Sequence, residues 1–394
     1  MSSRGGRPWP FDEKPLLVFW ETTKACPLAC VHCRANAITS PLPGELSHEE
    51  GLELVRQVAD FGRPYPILVF TGGDPLARQD IWELVDVARS YGVPVAMAPS
   101  PSRELLRNID NMVRSGVSAV SISIDSPDPQ VHDKVRRYPG SWEAATTAIR
   151  ELSSRGVRVQ VNTAVMRSTV LGLPGMVRLL KDLGVPTWEV FYLVPVGRAR
   201  SEEDLSPLEW EDVSAFLYQA SRYGVTVRTS EGPMFRRVSL LMDYAVKRGL
   251  APESLLRLGD LYRRLYSDLV ALEGSPGPSA SFETSGTRDG RGVVFISYDG
   301  MVYPSGFIPI PVGSVRKDSL VNIYRQSKLM RQLRSAEFKG RCGACEFKFI
   351  CGGSRSRAFS YYGDPLAEDP ACPYVPGSLA DRVNIKEVLG PWMA

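Results

Sequence analysis

The chain has 394 residues, 43% of them hydrophobic and 23% charged, with a formal charge of +3; this is the make-up of a globular protein long enough for two domains, or for one large domain with an appendage. So small an excess of positive charge does not mark a nucleic-acid or membrane-surface protein. The N-terminal MSSRGGRPWPFDEKP holds no apolar core of a signal peptide, and apolar runs such as Phe191–Val196 are far too short to span a bilayer, so neither nucleic acid nor membrane is an expected partner and the expected location is the cytoplasm.

Residues 1–13 read as an N-terminal extension. From 14 to 200, short β-branched runs alternate with amphipathic stretches. Strands are expected at Leu16–Thr22, Ile67–Gly73, the run PVAMAPS, Ala119–Asp125, Arg158–Val165 and Trp188–Pro195, each apolar nearly throughout, as strands buried on both faces are. The first helix should begin at Ser47, where Glu50 completes a capping box. Others are expected over Asp80–Tyr91, Arg103–Ser115, Trp142–Arg155 and Leu171–Leu183. Six strands, each followed by a crossover helix, predict an α/β fold, a partial (β/α)6 barrel of TIM-like type.

Residues 201–290 change character: helices are expected over Leu205–Arg222, Phe235–Arg248 and Glu253–Leu269, then a Gly/Ser/Pro-rich mobile linker over Gly274–Gly292. A third region, 291–380, opens with a hairpin turning at Asp299-Gly300, and 381–394 form a tail.

Seven cysteines fall into two groups: Cys26, Cys30 and Cys33 near one end, and Cys342, Cys345, Cys351 and Cys372 near the other. An odd number of cysteines, in a chain expected in a reducing compartment, argues against a disulfide framework and for metal ligands or catalytic thiols. The segment Cys26-Pro-Leu-Ala-Cys30-Val-His-Cys33 directly follows the first strand. Three thiolates on a [4Fe–4S] cubane leave one iron open. An open iron can chelate S-adenosylmethionine and pass it an electron, releasing a 5′-deoxyadenosyl radical that abstracts hydrogen from unactivated carbon. The other reading is a zinc site with His32 as fourth ligand, although the adjacency of His32 and Cys33 strains a shared tetrahedron. The second group, spaced C-x2-C-x5-C-x20-C, reads as four cluster ligands or as a structural zinc ribbon.

The C-x3-C-x2-C triad after a first strand resembles the hallmark of the radical S-adenosylmethionine superfamily. Thr71-Gly72-Gly73-Asp74-Pro75, ending the second strand, resembles that family's GGEP segment, with Asp in place of Glu. The resemblance implies that Gly72, Gly73, Asp74 and Pro75 face the methionine amino group. It also implies that Ser123 and Arg136, in the fourth strand and the loop after it, hold the carboxylate and ribose, with Arg137 as a competitor for Arg136. Asn162 would meet the ribose, Val194 the adenine side, and His32 would pack its ring near the adenine. The C-terminal group is similar to the SPASM/twitch extension, which carries auxiliary clusters. Its full pattern has seven cysteines, and this chain departs from it at Ser305 and Arg355. Both missing ligands belong to the inner auxiliary cluster, so the resemblance implies two [4Fe–4S] clusters in all.

Trp20-Glu-Thr-Thr, TGGDPLARQD, YPSGF and CGGSRSRAF are similar to members active in haem biosynthesis. The C-terminal signature also resembles peptide maturases related to the mycofactocin system. The implied activity is oxidative modification of a porphyrin-like substrate, by decarboxylation, with Arg236, Arg237, Arg355 and Arg357 as candidates for its carboxylates. The alternatives are radical maturation of a ribosomally made peptide and, from another class, a zinc-stabilised binding module. A ferredoxin or flavodoxin is the implied electron donor. No residue beyond the cluster and cofactor contacts is assigned a catalytic role.

Overall fold

The computed structural model describes residues 9–283 and 286–390. Residues 1–8 of the expected extension, 284 and 285 of the expected linker and 391–394 of the tail lie outside the described residues.

Among the described residues ten strands form one sheet: β1 (Leu17–Glu21), β2 (Ile67–Thr71), β3 (Val95–Met97), β4 (Ala119–Ser123), β5 (Arg158–Val165), β6 (Thr187–Tyr192), β7 (Thr226–Ser230), β8 (Val293–Ile296), β9 (Met301–Tyr303) and β10 (Gly313–Ser314). Their order is β10-β9-β8-β1-β2-β3-β4-β5-β6-β7. β1 through β7 pair in parallel, and β8 joins the other side of β1 in parallel as well. β8, β9 and β10 then run antiparallel, with the hairpin turning at Gly300, whose φ of +79° is the left-handed conformation that glycine adopts freely. The C-terminal hairpin thus continues the sheet of the N-terminal βα units.

The expected strands are all present, and β7 is a seventh that the sequence pattern missed. Its burial explains why: only Val227 is buried, and the rest of TVRTS is half-buried. The same alternation marks β5 and β6, so these strands are not buried on both faces as their composition suggested. One face, carrying Val159, Val161, Trp188, Val190 and Tyr192, is sealed into the main core. The other lines the concave interior of the sheet and stays half-open. A curved sheet wrapped by helices on its convex side produces this pattern.

The helices keep the expected order with shifted ends. The first runs His48–Ala59 behind the Ser47/Glu50 capping box. The stretch expected as Arg103–Ser115 is two short helices, broken at Asn108. The last helix of the middle region starts at Asp260 rather than at Glu253, after a single 3₁₀ turn at Pro252–Ser254. The segment after β4, expected as a loop, contains the helix Pro129–Arg136, capped by Asp128. The expected linker is pinned where it is described: Val227 and Glu283 exchange backbone bonds with Ser281 and Val227, and Phe282 packs against Tyr218 and Phe235. Among the described residues no helix is long and apolar enough to cross a membrane.

Candidate active site

The C-terminal ends of parallel strands in (β/α) folds gather loops around one mouth. Here the loop carrying the first three cysteines leaves β1 and closes on itself, with the Cys26 N–H on the Ile38 carbonyl and the Ile38 N–H on that of Lys24. Three other strand ends hold it. After β2, Gly73 and Asp74 give their N–H groups to Thr23 and Ala25. After β4, the helix Pro129–Arg136 accepts the Val31 N–H at Val135. After β6, the Arg198 guanidinium bonds the carbonyls of Cys30 (2.9 Å) and Ala37 (2.8 Å), and its N–H reaches Cys33.

Two glycines permit this closeness. A Cβ on Gly73 would stand 2.3 Å from the Ala25 carbonyl oxygen, and one on Gly197 2.4 Å from that of Cys33. The Thr-Gly-Gly-Asp-Pro segment therefore lies backbone to backbone against the cysteine loop. Asp74 acts inside that turn: its Oδ1 accepts from Leu76 N–H (3.1 Å) and Ser100 N–H (3.4 Å), and burial raises its carboxyl to about 6. Pro75 opens the following 3₁₀ turn and is buried. The Cys26 thiol meets the Ser100 hydroxyl at 3.1 Å, and burial pushes it up to about 12.

Arg136 and His32 converge on a residue that the sequence reading quoted without a role. Asp125, just past β4, receives Arg136 Nε at 2.7 Å and NH2 at 2.9 Å, and His32 Nε2 lies 3.3 Å away. The remaining Arg136 nitrogen, NH1, approaches the Cys30 sulfur at 3.7 Å. Burial opposes the Asp125 charge, yet Arg136 and His32 outweigh it and hold the carboxyl well below the usual range. The Asp125 N–H donates to His132 Nδ1, and burial lowers His132 to about 4, so that ring is neutral. Arg137 is exposed, in a left-handed helix cap at φ +51°. The signal for Asp125 was present: a charge ending an apolar strand needs a buried partner.

Register places Ser123, Asn162, Glu189 and Arg228 side by side across β4, β5, β6 and β7 on the half-open face. The first two were singled out in the sequence and the last two were not. Val194 is buried beyond β6, its carbonyl taken by Val196 N–H at 2.8 Å.

At the other end, Cys342, Cys345, Cys351 and Cys372 line one small cavity with Arg237, Tyr374 and Gly353. Its donor set is four thiols, with burial pushing Cys345 to about 12 and raising the other three. Among the described residues, the Arg237 Nε buried beside it has no hydrogen-bond partner. Among the described residues, no three His, Cys, Asp or Glu side chains are grouped to hold a single metal ion. Four thiols around one cavity are a donor set suited to a [4Fe–4S] cubane, as to a zinc ion.

The four arginines considered for substrate carboxylates are at most 7% exposed and engaged elsewhere. Arg236 bonds the Ile350 and Thr287 carbonyls, Arg237 pairs with Glu211, Arg357 bonds the Leu193 carbonyl above Trp210, and Arg355 bonds three carbonyls and a thiol.

Comparison with known proteins agrees with this layout. A sequence model of the radical SAM superfamily matches residues 20–176, and one of an iron-sulfur cluster-binding domain, SPASM, matches residues 288–346. The AdoMet-dependent heme synthase of Nitratidesulfovibrio vulgaris is 35% identical over 91% of this chain and 92% of its own. The mycofactocin maturase MftC of Mycolicibacterium smegmatis is 28% identical over 91% of this chain and 83% of its own. Among solved structures, Streptococcus suis SuiB bound to S-adenosylmethionine matches with a TM-score of 0.62 at 14% identity, over 92% of this chain and 78% of that one, a likeness of fold. Sequence identity along almost the whole length of both chains, together with the two domain matches, places the chain in the family of the AdoMet-dependent heme synthases, iron–sulfur enzymes of the radical SAM superfamily with a SPASM domain.

Proposed function

We propose that this enzyme removes carboxylate from the side chains of a porphyrin-type substrate, with one [4Fe–4S] cluster on Cys26, Cys30 and Cys33 and a second on Cys342, Cys345, Cys351 and Cys372. The observation that carries the reading is the division of the cysteines, three on one loop held by the strand ends and four around one cavity. Clusters and S-adenosylmethionine supply, when bound, a radical that takes a hydrogen atom from carbon and an acceptor for the electron left after CO2 departs. The chain's own work is placement. Gly72, Gly73, Asp74 and Pro75 set backbone beside the cysteine loop for the methionine end of the cofactor. Ser123 and Asn162 offer polar groups to its carboxylate and ribose, and Val194 and His32 flank the adenine side. Arg136, with two nitrogens on Asp125, brings its third to Cys30 and presents positive charge at that edge.

Ser305 and Arg355 support a count of two clusters. Ser305 lies 3.3 Å from the Ser356 hydroxyl, in a buried network that also takes in Asp289 and Glu231. Burial raises both carboxyls, and Asp289 beside Glu231 raises the latter further. Ser305 is thereby engaged with protein polar groups, which supports the smaller count.

Anaerobic reconstitution with S-adenosylmethionine, a chemical reductant and an iron porphyrin bearing propionates tests the reading. Porphyrin-dependent 5′-deoxyadenosine and CO2 are the expected products. Deoxyadenosine formation that responds to a short peptide and ignores the porphyrin would favour the maturase reading, which rests on the 28% identity to MftC. The variant Cys351→Ala should still form deoxyadenosine while losing product, since it removes only a ligand of the second cluster. A low-potential ferredoxin or flavodoxin is the proposed electron donor.

A further inference from the structure

The Arg355 side chain is 0% exposed, yet among the described residues it has no carboxylate within ion-pair distance. Its Nε donates to the Gly353 carbonyl at 3.1 Å, and NH1 to those of Pro365 (3.2 Å) and Ala367. NH2 donates to the Cys342 sulfur at 3.5 Å. The guanidinium lies 4.4 Å from the Phe338 ring centroid. A second donor, the Asp369 N–H, meets the same sulfur at 3.3 Å. The chain leaves room for this contact. Gly353 adopts φ +68°, and a Cβ there would stand 2.6 Å from Arg355 NH2 and 2.9 Å from the Cys342 sulfur.

The other cations at the cavity differ. Arg237 is paired with Glu211, and Arg341 with Glu368. Their charges are balanced by carboxylates. Lys348, also at the cavity, reaches the Gly343 carbonyl. Of these cations it is Arg355, held by three carbonyls and the Phe338 ring, that directs a guanidinium N–H at a cysteine sulfur.

We propose that Arg355 is a positioning residue for the second cluster, and that its N–H on Cys342 holds the reduction potential of that cluster up. The inference rests on the reading that Cys342, Cys345, Cys351 and Cys372 carry the cluster. Negative charge on ligand sulfur grows when a cluster is reduced. A charged donor at that sulfur therefore favours the reduced form, and more strongly in a buried, low-dielectric site. A higher potential suits a cluster whose task is to accept an electron from a substrate. The residue stands four places beyond Cys351, where the resemblance implies a ligand of the inner auxiliary cluster.

The test is an EPR-monitored redox titration of the reconstituted holoenzyme. Arg355→Gln removes the charge, and Arg355→Lys keeps it on a different geometry. Arg355→Gln should lower the midpoint of the second cluster by about 59 mV or more, a tenfold change in its oxidised-to-reduced ratio, with the first cluster unmoved. Arg355→Lys should fall between. An unchanged midpoint in Arg355→Gln with full iron content overturns the proposal. Should the buried substitution prevent folding or cluster assembly, ¹⁵N-arginine-labelled protein with intact Arg355 decides. In the Cys30→Ala background, which removes the first cluster's signal, ENDOR of the reduced second cluster should show coupling to a guanidinium nitrogen, and its absence overturns the proposal. About four irons per chain in the unsubstituted enzyme, instead of about eight, would overturn the site reading and the inference with it.

Discussion

Replacing Asp74 by Asn isolates one charge at the edge of the cofactor site. Both hydrogen bonds that Asp74 accepts, from Leu76 and Ser100, end on Oδ1, so an amide carbonyl in the same rotamer retains them. What the substitution removes is ionisation. Burial raises the carboxyl from the ordinary 3.8 to about 6, so between those values the folded chain holds a proton that the unfolded chain has lost. The native state then binds more protons, and stability falls as pH rises through this window. At 1.36 kcal/mol per pH unit the window is worth about 3 kcal/mol, of which about 2 kcal/mol falls between pH 4.5 and 7.5. Anaerobic urea titrations should therefore find Asp74→Asn gaining about 2 kcal/mol on the parent between those two pH values, whatever constant offset the new amide introduces. An offset that stays the same at both pH values would refute the reasoning, because it would mean that Asp74 titrates as an exposed carboxylate does.

Gly73→Ala and Gly197→Ala each place a methyl within 2.4 Å of a carbonyl oxygen in the cysteine loop; both should keep the native circular dichroism while the iron bound by Cys26, Cys30 and Cys33 is lost, read by iron analysis of protein in which Cys342, Cys345, Cys351 and Cys372 are all replaced by Ala. Asp125→Ala leaves Arg136 buried without its carboxylate and should cost about 3–5 kcal/mol in denaturant unfolding. If the Arg136 to Cys30 contact matters to the first cluster, its EPR signal should shift in the same variant.

The parts of this enzyme that could be read from the chain are those in which physics is local. β5 was located to the residue because an eight-residue β-branched run has few other uses, and the first helix because Ser47 and Glu50 satisfy each other's backbone donors. The cysteine spacing was legible for the same reason, since three thiols within eight residues must share a centre. β7 was missed because its face away from the core is polar and half-buried, and TVRTS offers one buried valine as its only apolar signal. The helix Pro129–Arg136 was read as loop because its buried side, Val135 apart, is made of His132 and Arg136, polar groups whose partners, Ser141 and Asp125, come from other elements.

The same distinction separates which residues were named from what they do. Ser305 and Arg355 were recognisable as departures from a pattern, because a pattern is a statement about positions. What filled those positions could not be read, since Ser305 meets Ser356 across 51 residues of chain and Arg355 meets Cys342 across 13. The arginines illustrate the cost of arguing from composition alone. Counting them suggested a carboxylate-binding surface, whereas folding spends all four on carbonyls, a carboxylate and a thiol. A buried guanidinium must find its partners inside the protein before it can serve a ligand, so cations for a propionate-bearing substrate should be sought on the half-open face of the sheet, where Arg228, half-buried and paired with Glu283 at 2.7 Å, stands in register with Glu189, Asn162 and Ser123 and would have to exchange that partner for a propionate.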